Sequence, residues 1–342
     1  MELINISENA YTNEDLKVMQ NWDLNRKIQV AQTRIMEWYM KHDNKCYVSF
    51  SGGKDSTVLA DMAAKVCKML DCKLVLWFSD TGLEFPEIRE HVKTFGKYLE
   101  DRYGIEVETI MEYPTDRKGK RVLFRDVILN EGYPIVSKNV SQHIKGARNG
   151  SKSSMALLDG TYTTDGVHKS IFCCEKWKFL LDAPFKISNQ CCSLMKKQPA
   201  HRFNKRSGLF PIVGTMAEES KQRKTNWLQY GCNVFDGKEP ASRPMSVWTE
   251  QNVLEYLSRF SIPYPSVYGD IKQDDKGNYY TTGYNRTGCV FCAYGCHHEK
   301  EPNRFQMLKQ THPKLHEYCM KPVEDGGLGM KEVLEYINVK TE

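Results

Sequence analysis

Apolar residues recur at roughly helical spacing through "LNRKIQVAQTRIMEWYMKHD" (24–43), which predicts an amphipathic helix. The pattern then shortens. "CYVSF" (46–50) predicts a buried strand, and "STVLADMAAKVCKML" (56–70) a helix. "KLVLWFSD" (73–80) predicts a second strand, "FPEIREHVKTFGKYLEDRYG" (85–104) another helix, and "IEVETIM" (105–111) a third strand. Strand and helix alternate, so the expected fold class is α/β: a parallel twisted sheet with helices on both faces.

The middle of the chain changes character. "SKNVSQHIKGARNGSKSSMALLDGTYTTDG" (137–166) is rich in Ser, Lys, Gly and Asn, with little periodicity. It reads as a mobile basic loop spanning 137–170, either a solvated insertion or a lid over an anionic substrate. "LFPIVGT" (209–215) predicts a further strand and "SVWTEQNVLEYLSRF" (246–260) a capped helix. The tail predicts one or two terminal helices. The expected organisation is an N-terminal helical segment (1–44), an α/β domain (45–270), and a cysteine-rich, helical and loop C-terminal region (271–342).

Composition narrows the classes. At 342 residues and 40% hydrophobic, the chain can bury a sizeable core. No run approaches the roughly 18 apolar residues of a membrane span. The first residues are polar and acidic, unlike a signal peptide. Twelve cysteines with no export signal point to a reducing compartment, so a cytoplasmic location is expected. A net charge of +5 permits an anionic substrate or a nucleic acid and demands neither. "DRKGKRVLFRD" (116–126) and "KKQPAHRFNKR" (196–206) are basic enough for tRNA or DNA, or simply solvated.

Two stretches carry chemistry. "SFSGGKDSTVLA" (49–60) sits between the first strand and its helix. Glycines turn the backbone tightly and present amide groups, a helix N-terminus adds donors, and Lys54 adds a full charge. Together these suit a phosphate. Neither the Walker A pattern nor GxGxxG is present. "NRTGCVFCAYGCHHE" (285–299) holds Cys289 and Cys292 as C-x-x-C, then Cys296, His297 and His298. On its own this stretch suits tetrahedral zinc. Cys46, Cys67 and Cys72 lie in predicted sheet or helix and read as small core residues.

S-G-G-K-D-S at the end of a strand resembles the PP-loop of the adenine nucleotide α-hydrolase-like superfamily, which is Rossmann-type in fold. Members bind adenylyl nucleotides, and many cleave ATP between its α- and β-phosphates. "FSDTGLEFPE" (78–87) is similar to the D-T-G-x-x-F-P-E segment of phosphoadenosine phosphosulfate (PAPS) reductases. "CCSLMKKQP" (191–199) resembles C-C-x-x-x-K-x-x-P of the adenylylsulfate reductase branch, and "GTMAEESKQR" (214–223) the G-x-R-x-x-x-S-x-x-R phosphate segment. "MSVWTEQNVLEYL" (245–257) resembles the P-x-x-x-W segment that precedes the second cysteine pair. The segments run in family order, so the resemblance is to the PAPS reductase family as a whole domain.

That resemblance implies roles. Lys54, Asp55, Ser220 and Arg223 would act on the phosphates. Ser49, Ser51, Gly52, Gly53, Ser56, Phe78, Asp80, Thr81 and Gly82 would complete the nucleotide site, with Mg²⁺. Cys191, Cys192, Cys289 and Cys292 would hold a [4Fe–4S] cluster, with zinc the alternative metal and Cys232 or Cys296 alternative ligands. The sequence departs from the family in two places. Thr215 and Met216 stand where reductases carry a basic residue, and no cysteine follows Cys319, whereas reductases use one on a C-terminal E-C-G-[LI]-H tail. The implied function is therefore an ATP-dependent sulfurtransferase, related to DNA phosphorothioation or tRNA thiolation enzymes. A thioredoxin-dependent PAPS or adenylylsulfate reductase and a non-catalytic regulator are the alternatives. A sulfur-donor or reductant protein and a dimeric state are further expectations.

Overall fold

Alternation along the strands sorts side chains between two cores. In β1 (Cys46–Ser49) and β2 (Leu74–Ser79), Cys46, Val48, Leu74, Leu76 and Phe78 enter one cluster, while Tyr47, Val75 and Trp77 enter another. The larger cluster receives α2 (Leu24–Lys41), α3 (Lys54–Leu70) and α4 (Pro86–Tyr103). The smaller is closed by Phe203, which stacks on Trp77 at 5.2 Å between ring centroids. Both faces of the sheet are therefore covered, as the continuous apolar runs of its strands require.

This is a computed structural model, describing residues 10–237 and 239–341. Across the principal sheet stand β3 (Val107–Glu112), β2 and β1, then the strands Phe210–Ile212, Ala241–Ser242 and Asn233–Val234. All neighbours pair in parallel except the last, which is antiparallel. The chain thus moves from β1 through β2 to β3 on one side, and later returns to β1's other side. That reversal leaves a crevice at the carboxyl end of β1, where open α/β sheets take their ligands.

The chain forms two compact units. The first is Met1–Asp80, Glu84–Glu112 and Ala200–Thr287; the second is Thr81–Leu83, Tyr113–Pro199 and Gly288–Glu342. These boundaries differ from a division at 44/45 and 270/271. The middle of the chain belongs with the C-terminal region because Ile135–Val136 pairs in parallel with Ala293–Tyr294.

The segment 137–170, expected as a mobile loop, is largely helical. Ser137 Oγ accepts from Val140 N at 3.1 Å and starts the helix Lys138–Arg148. Ser151 caps Lys152–Asp159, which ends at Gly160 with φ +72°. The serines and glycines that suggested a loop are thus helix caps. Val140, Ile144, Ala147, Leu157 and Leu158 are buried, and Arg148 binds the carbonyls of Leu180, Leu181, Ala183 and Phe185. No helix among the described residues is long and apolar enough to cross a membrane.

Helix α3 leads out of the glycine loop, and a fully buried carboxylate fixes it. Asp61 accepts from Tyr103 Oη at 2.7 Å and Tyr256 Oη at 2.6 Å, and pairs with Lys65 at 3.0 Å. Asp61→Ala leaves two hydroxyls and an ammonium without their shared acceptor. It should lower unfolding free energy by about 3 kcal/mol in urea titration. A loss below about 1 kcal/mol would mean this network does not anchor the helix.

Candidate nucleotide site and thiol group

Between β1 and α3 the backbone turns through Gly52 at φ +73°. A Cβ there would lie 2.6 Å from Val92 Cγ2 and 2.9 Å from Ile88 Cγ2, so conformation and space both demand glycine. Gly53 occupies the N-cap of α3 without a side-chain cap, so no capping side chain competes with an anion there, and of the first amides Lys54 N is taken by Tyr268 Oη. Ser51 Oγ and Ser56 Oγ lie 3.0 Å apart, and Ser56 Oγ donates to Gly53 O at 2.9 Å. Ser49 is half-buried at the end of β1.

Lys54, only 4% exposed, extends to Glu250 Oε1 at 3.1 Å and donates to Asn285 O at 2.9 Å. Burial opposes its charge, but Asp55, Tyr268 and Glu250 outweigh burial, and its pKa lies above the ordinary lysine value. Lys54 N donates to Tyr268 Oη at 3.2 Å, and that phenol bonds Thr287 Oγ1 at 2.5 Å. Asp55 is pushed up by burial against the pull of Lys54. Its Oδ1 is buried with no hydrogen-bond partner, which fits a carboxylate that receives a divalent cation.

Ser220 and Arg223 lie on the far side of the sequence but in the same unit. Ser220 Oγ caps the helix Lys221–Tyr230, accepting from Arg223 N at 3.3 Å. Arg223 pairs with Glu219, and Arg286 Nη2 reaches the same carboxylate at 3.1 Å. Burial lowers the Arg223 pKa, and Arg286 lowers it further.

Among the predicted nucleotide contacts after β2, Phe78 is buried in the main core, so only its backbone faces the crevice. Asp80 is buried and bonded by Arg89 Nη2 at 2.6 Å. Thr81 and Gly82 fall in the second unit, where Thr81 Oγ1 accepts from Leu83 N at 3.2 Å. Sequence reasoning missed Glu250, Tyr268, Asn285, Arg286 and Thr287. Three of these form "NRT", directly before the C-x-x-C stretch, where attention had gone to the cysteines.

The second unit holds Cys191, Cys192, Cys289 and Cys292 together. Cys191 and Cys192 Sγ stand 3.9 Å apart, and a π-helical turn follows at Ser193–Lys197. The Cys191 thiol is pushed far up by its bond to Cys192 and by burial, with Cys292 and Cys289 adding to the effect. Cys192 is pulled down by Cys191 and, against burial, by Lys138, Lys196 and Lys197. Burial and Cys289 push Cys292 up to about 11. Among the described residues, no three His, Cys, Asp or Glu side chains form a ready-made metal-binding group. In chemistry, however, Cys191, Cys192 and Cys292 shift one another's thiols and three lysines lower that of Cys192, and thiols are the donors of a metal centre that takes thiolates. Cys296 is buried and turns its thiol to Ala293 O at 3.1 Å. Cys232 lies in the first unit, where burial raises its pKa. His297 packs edge-on against Trp177. Cys46 and Cys67 are core residues, and Cys72 packs against that core.

A glycine loop at a helix N-terminus, at the switch point of a mostly parallel sheet, defines an α/β nucleotide-binding protein. Residues 45–125 and 164–294 match the phosphoadenosine phosphosulfate reductase domain, and the chain belongs to that family. No curated protein matches it. Among solved structures, the NMN synthetase from Francisella tularensis is 12% identical with a TM-score of 0.32, the match covering 71% of this chain and 73% of that one. The U34-tRNA thiolase NcsA from Methanococcus maripaludis, with its [4Fe–4S] cluster, is 13% identical with a TM-score of 0.37, covering 94% and 83%. Likenesses at this level assign no chemistry.

Behind the loop, Thr57 Oγ1 lies 2.9 Å from His91 Nε2, and burial lowers the His91 pKa to about 4. The folded state therefore excludes a proton that the unfolded state accepts at the ordinary histidine value of 6.5. Stability should be full above that value and fall as pH drops toward about 4, losing about 2–3 kcal/mol. His91→Gln should flatten that part of a stability-against-pH titration. An unchanged slope would refute the assignment.

Proposed function

We propose that this protein is an ATP-dependent sulfurtransferase that adenylates an acceptor oxygen, releasing pyrophosphate, and that sulfide-level sulfur from a donor then displaces that oxygen as AMP. The observation that carries the reading is Lys54, buried yet charged at the N-terminus of α3 beside the positive-φ turn at Gly52. Family membership supports a nucleotide ligand.

The amides of the loop and of the first turn of α3 bind the phosphates, with Ser51 and Ser56 lining them. Asp55 Oδ1 takes Mg²⁺. Lys54 and Arg223 neutralise the oxygens between which the α,β bond breaks, an electrostatic task, as pyrophosphate leaves. Cys191, Cys192, Cys289 and Cys292 are the residues to hold a [4Fe–4S] cluster. Such a cluster, when bound, supplies iron and sulfide at which sulfur is handled. The lysines around Cys192 favour its thiolate, the form that ligates metal. The acceptor is a nucleic acid or a small metabolite, and a separate protein supplies sulfur or electrons.

Anaerobic purification should yield about four irons and four sulfides per chain. Cys192→Ala should lower both, and zinc without iron would remove the cluster from this scheme. ATP should release pyrophosphate in the presence of an acceptor, and Lys54→Ala should reduce that release at least about a hundredfold. Sulfite formed from adenylyl sulfate or PAPS would instead identify a reductase. Tight ATP binding without pyrophosphate from any acceptor would identify a regulator.

A further inference from the structure

Met216 stands where the phosphate segment of related reductases carries a base, and it is 3% exposed within the main core. It offers the site no charge. A different arginine stands beside Arg223. Arg286 Nη2 lies 3.1 Å from Glu219 Oε1, while Arg223 Nη1 pairs with Oε2 of the same carboxylate. Two guanidinium groups from distant parts of the sequence therefore share one acid. Both also draw on the carboxyl of Asp55, the residue next to Lys54. Geometry also sets Arg286 beside the loop: Asn285, before it, accepts from Lys54 Nζ at 2.9 Å, and Thr287, after it, bonds the Tyr268 phenol that takes the Lys54 amide.

We propose that Arg286 and Arg223 form a two-guanidinium clamp for the tetrahedral anion that a bound adenylyl nucleotide carries beyond its α-phosphate. Glu219 holds the two guanidinium groups of the clamp together. This rests on the reading of Ser51–Ser56 as a nucleotide loop. Planar guanidinium groups suit such an anion, since each offers paired donors to its oxygens. The cations of the site are paired with carboxylates: Glu250 holds Lys54, and Glu219 holds both arginines. Glu218, which accepts from Glu250 N at 2.7 Å, adds a further negative charge. An incoming anion must displace these carboxylates. Removing one therefore strengthens binding, the opposite of what loss of a ligand-contacting residue does.

The clamped group can be the β-phosphate of ATP or the sulfate of adenylyl sulfate, and titration calorimetry of the full chain separates them. ATP, adenylyl sulfate and AMP serve as probes at one fixed salt concentration. Arg286→Gln should weaken the extended nucleotide by at least about tenfold and alter AMP by less than about twofold. The extended nucleotide that loses affinity names the group. Glu219→Gln should bind the same nucleotide several-fold more tightly than the wild type. Arg286→Gln binding all three as the wild type does would overturn the clamp and leave the nucleotide loop standing. So would an equal loss for AMP, or weaker binding by Glu219→Gln. A wild type that binds none of the three would overturn the loop and the clamp together.

Discussion

A lysine ammonium taken almost wholly out of water keeps its charge only if protein groups replace its hydration. Lys54 meets that condition with Glu250, the carbonyl of Asn285 and the nearby Asp55. These partners come from the start of the helix Glu250–Arg259, from the segment before Cys289, and from α3 itself. Holding one side chain in place therefore ties two distant stretches to the glycine loop. The positive-φ turn at Gly52, the uncapped start of α3 and the Asp61 network behind it maintain the same geometry from the other side.

In a site so arranged the cations are already paired with carboxylates. The carboxylates that keep Lys54 and the arginines in place also hide their charge. Attraction of a nucleotide must come from exchange of partners within the crevice. A bare positive potential over the surface is not needed, consistent with the mild net charge of +5.

The glycine loop was legible because its parts are contiguous: strand, turn and helix N-terminus follow one another from Cys46 to Leu70. The parallel sheet was legible from the same alternation. Glu250, Tyr268 and Asn285 were not, because nothing local marks a glutamate, a tyrosine or an asparagine as a neighbour of Lys54 until the chain is folded. Segment 137–170 was misread for a different reason. Serine and glycine signal both loops and helix ends, and only the buried Val140, Ile144 and Leu157 show which meaning applies. Cys191–Cys192 and Cys289–Cys292 stand close in the sequence, but the sequence could not reveal that Cys296 turns to its own backbone or that Cys232 sits in another unit.

The parallel pairing of Ile135–Val136 with Ala293–Tyr294 has a consequence in time. Ala293 directly follows Cys292, so this contact sets the C-x-x-C against the middle of the chain. On a ribosome, Cys191 and Cys192 emerge long before Cys289 and Cys292 exist, and no local structure can bring the four thiols together. Any metal centre built from them would be assembled only after Cys292 had been made, about a hundred residues after Cys192. Until then the vicinal pair would stand without those two partners.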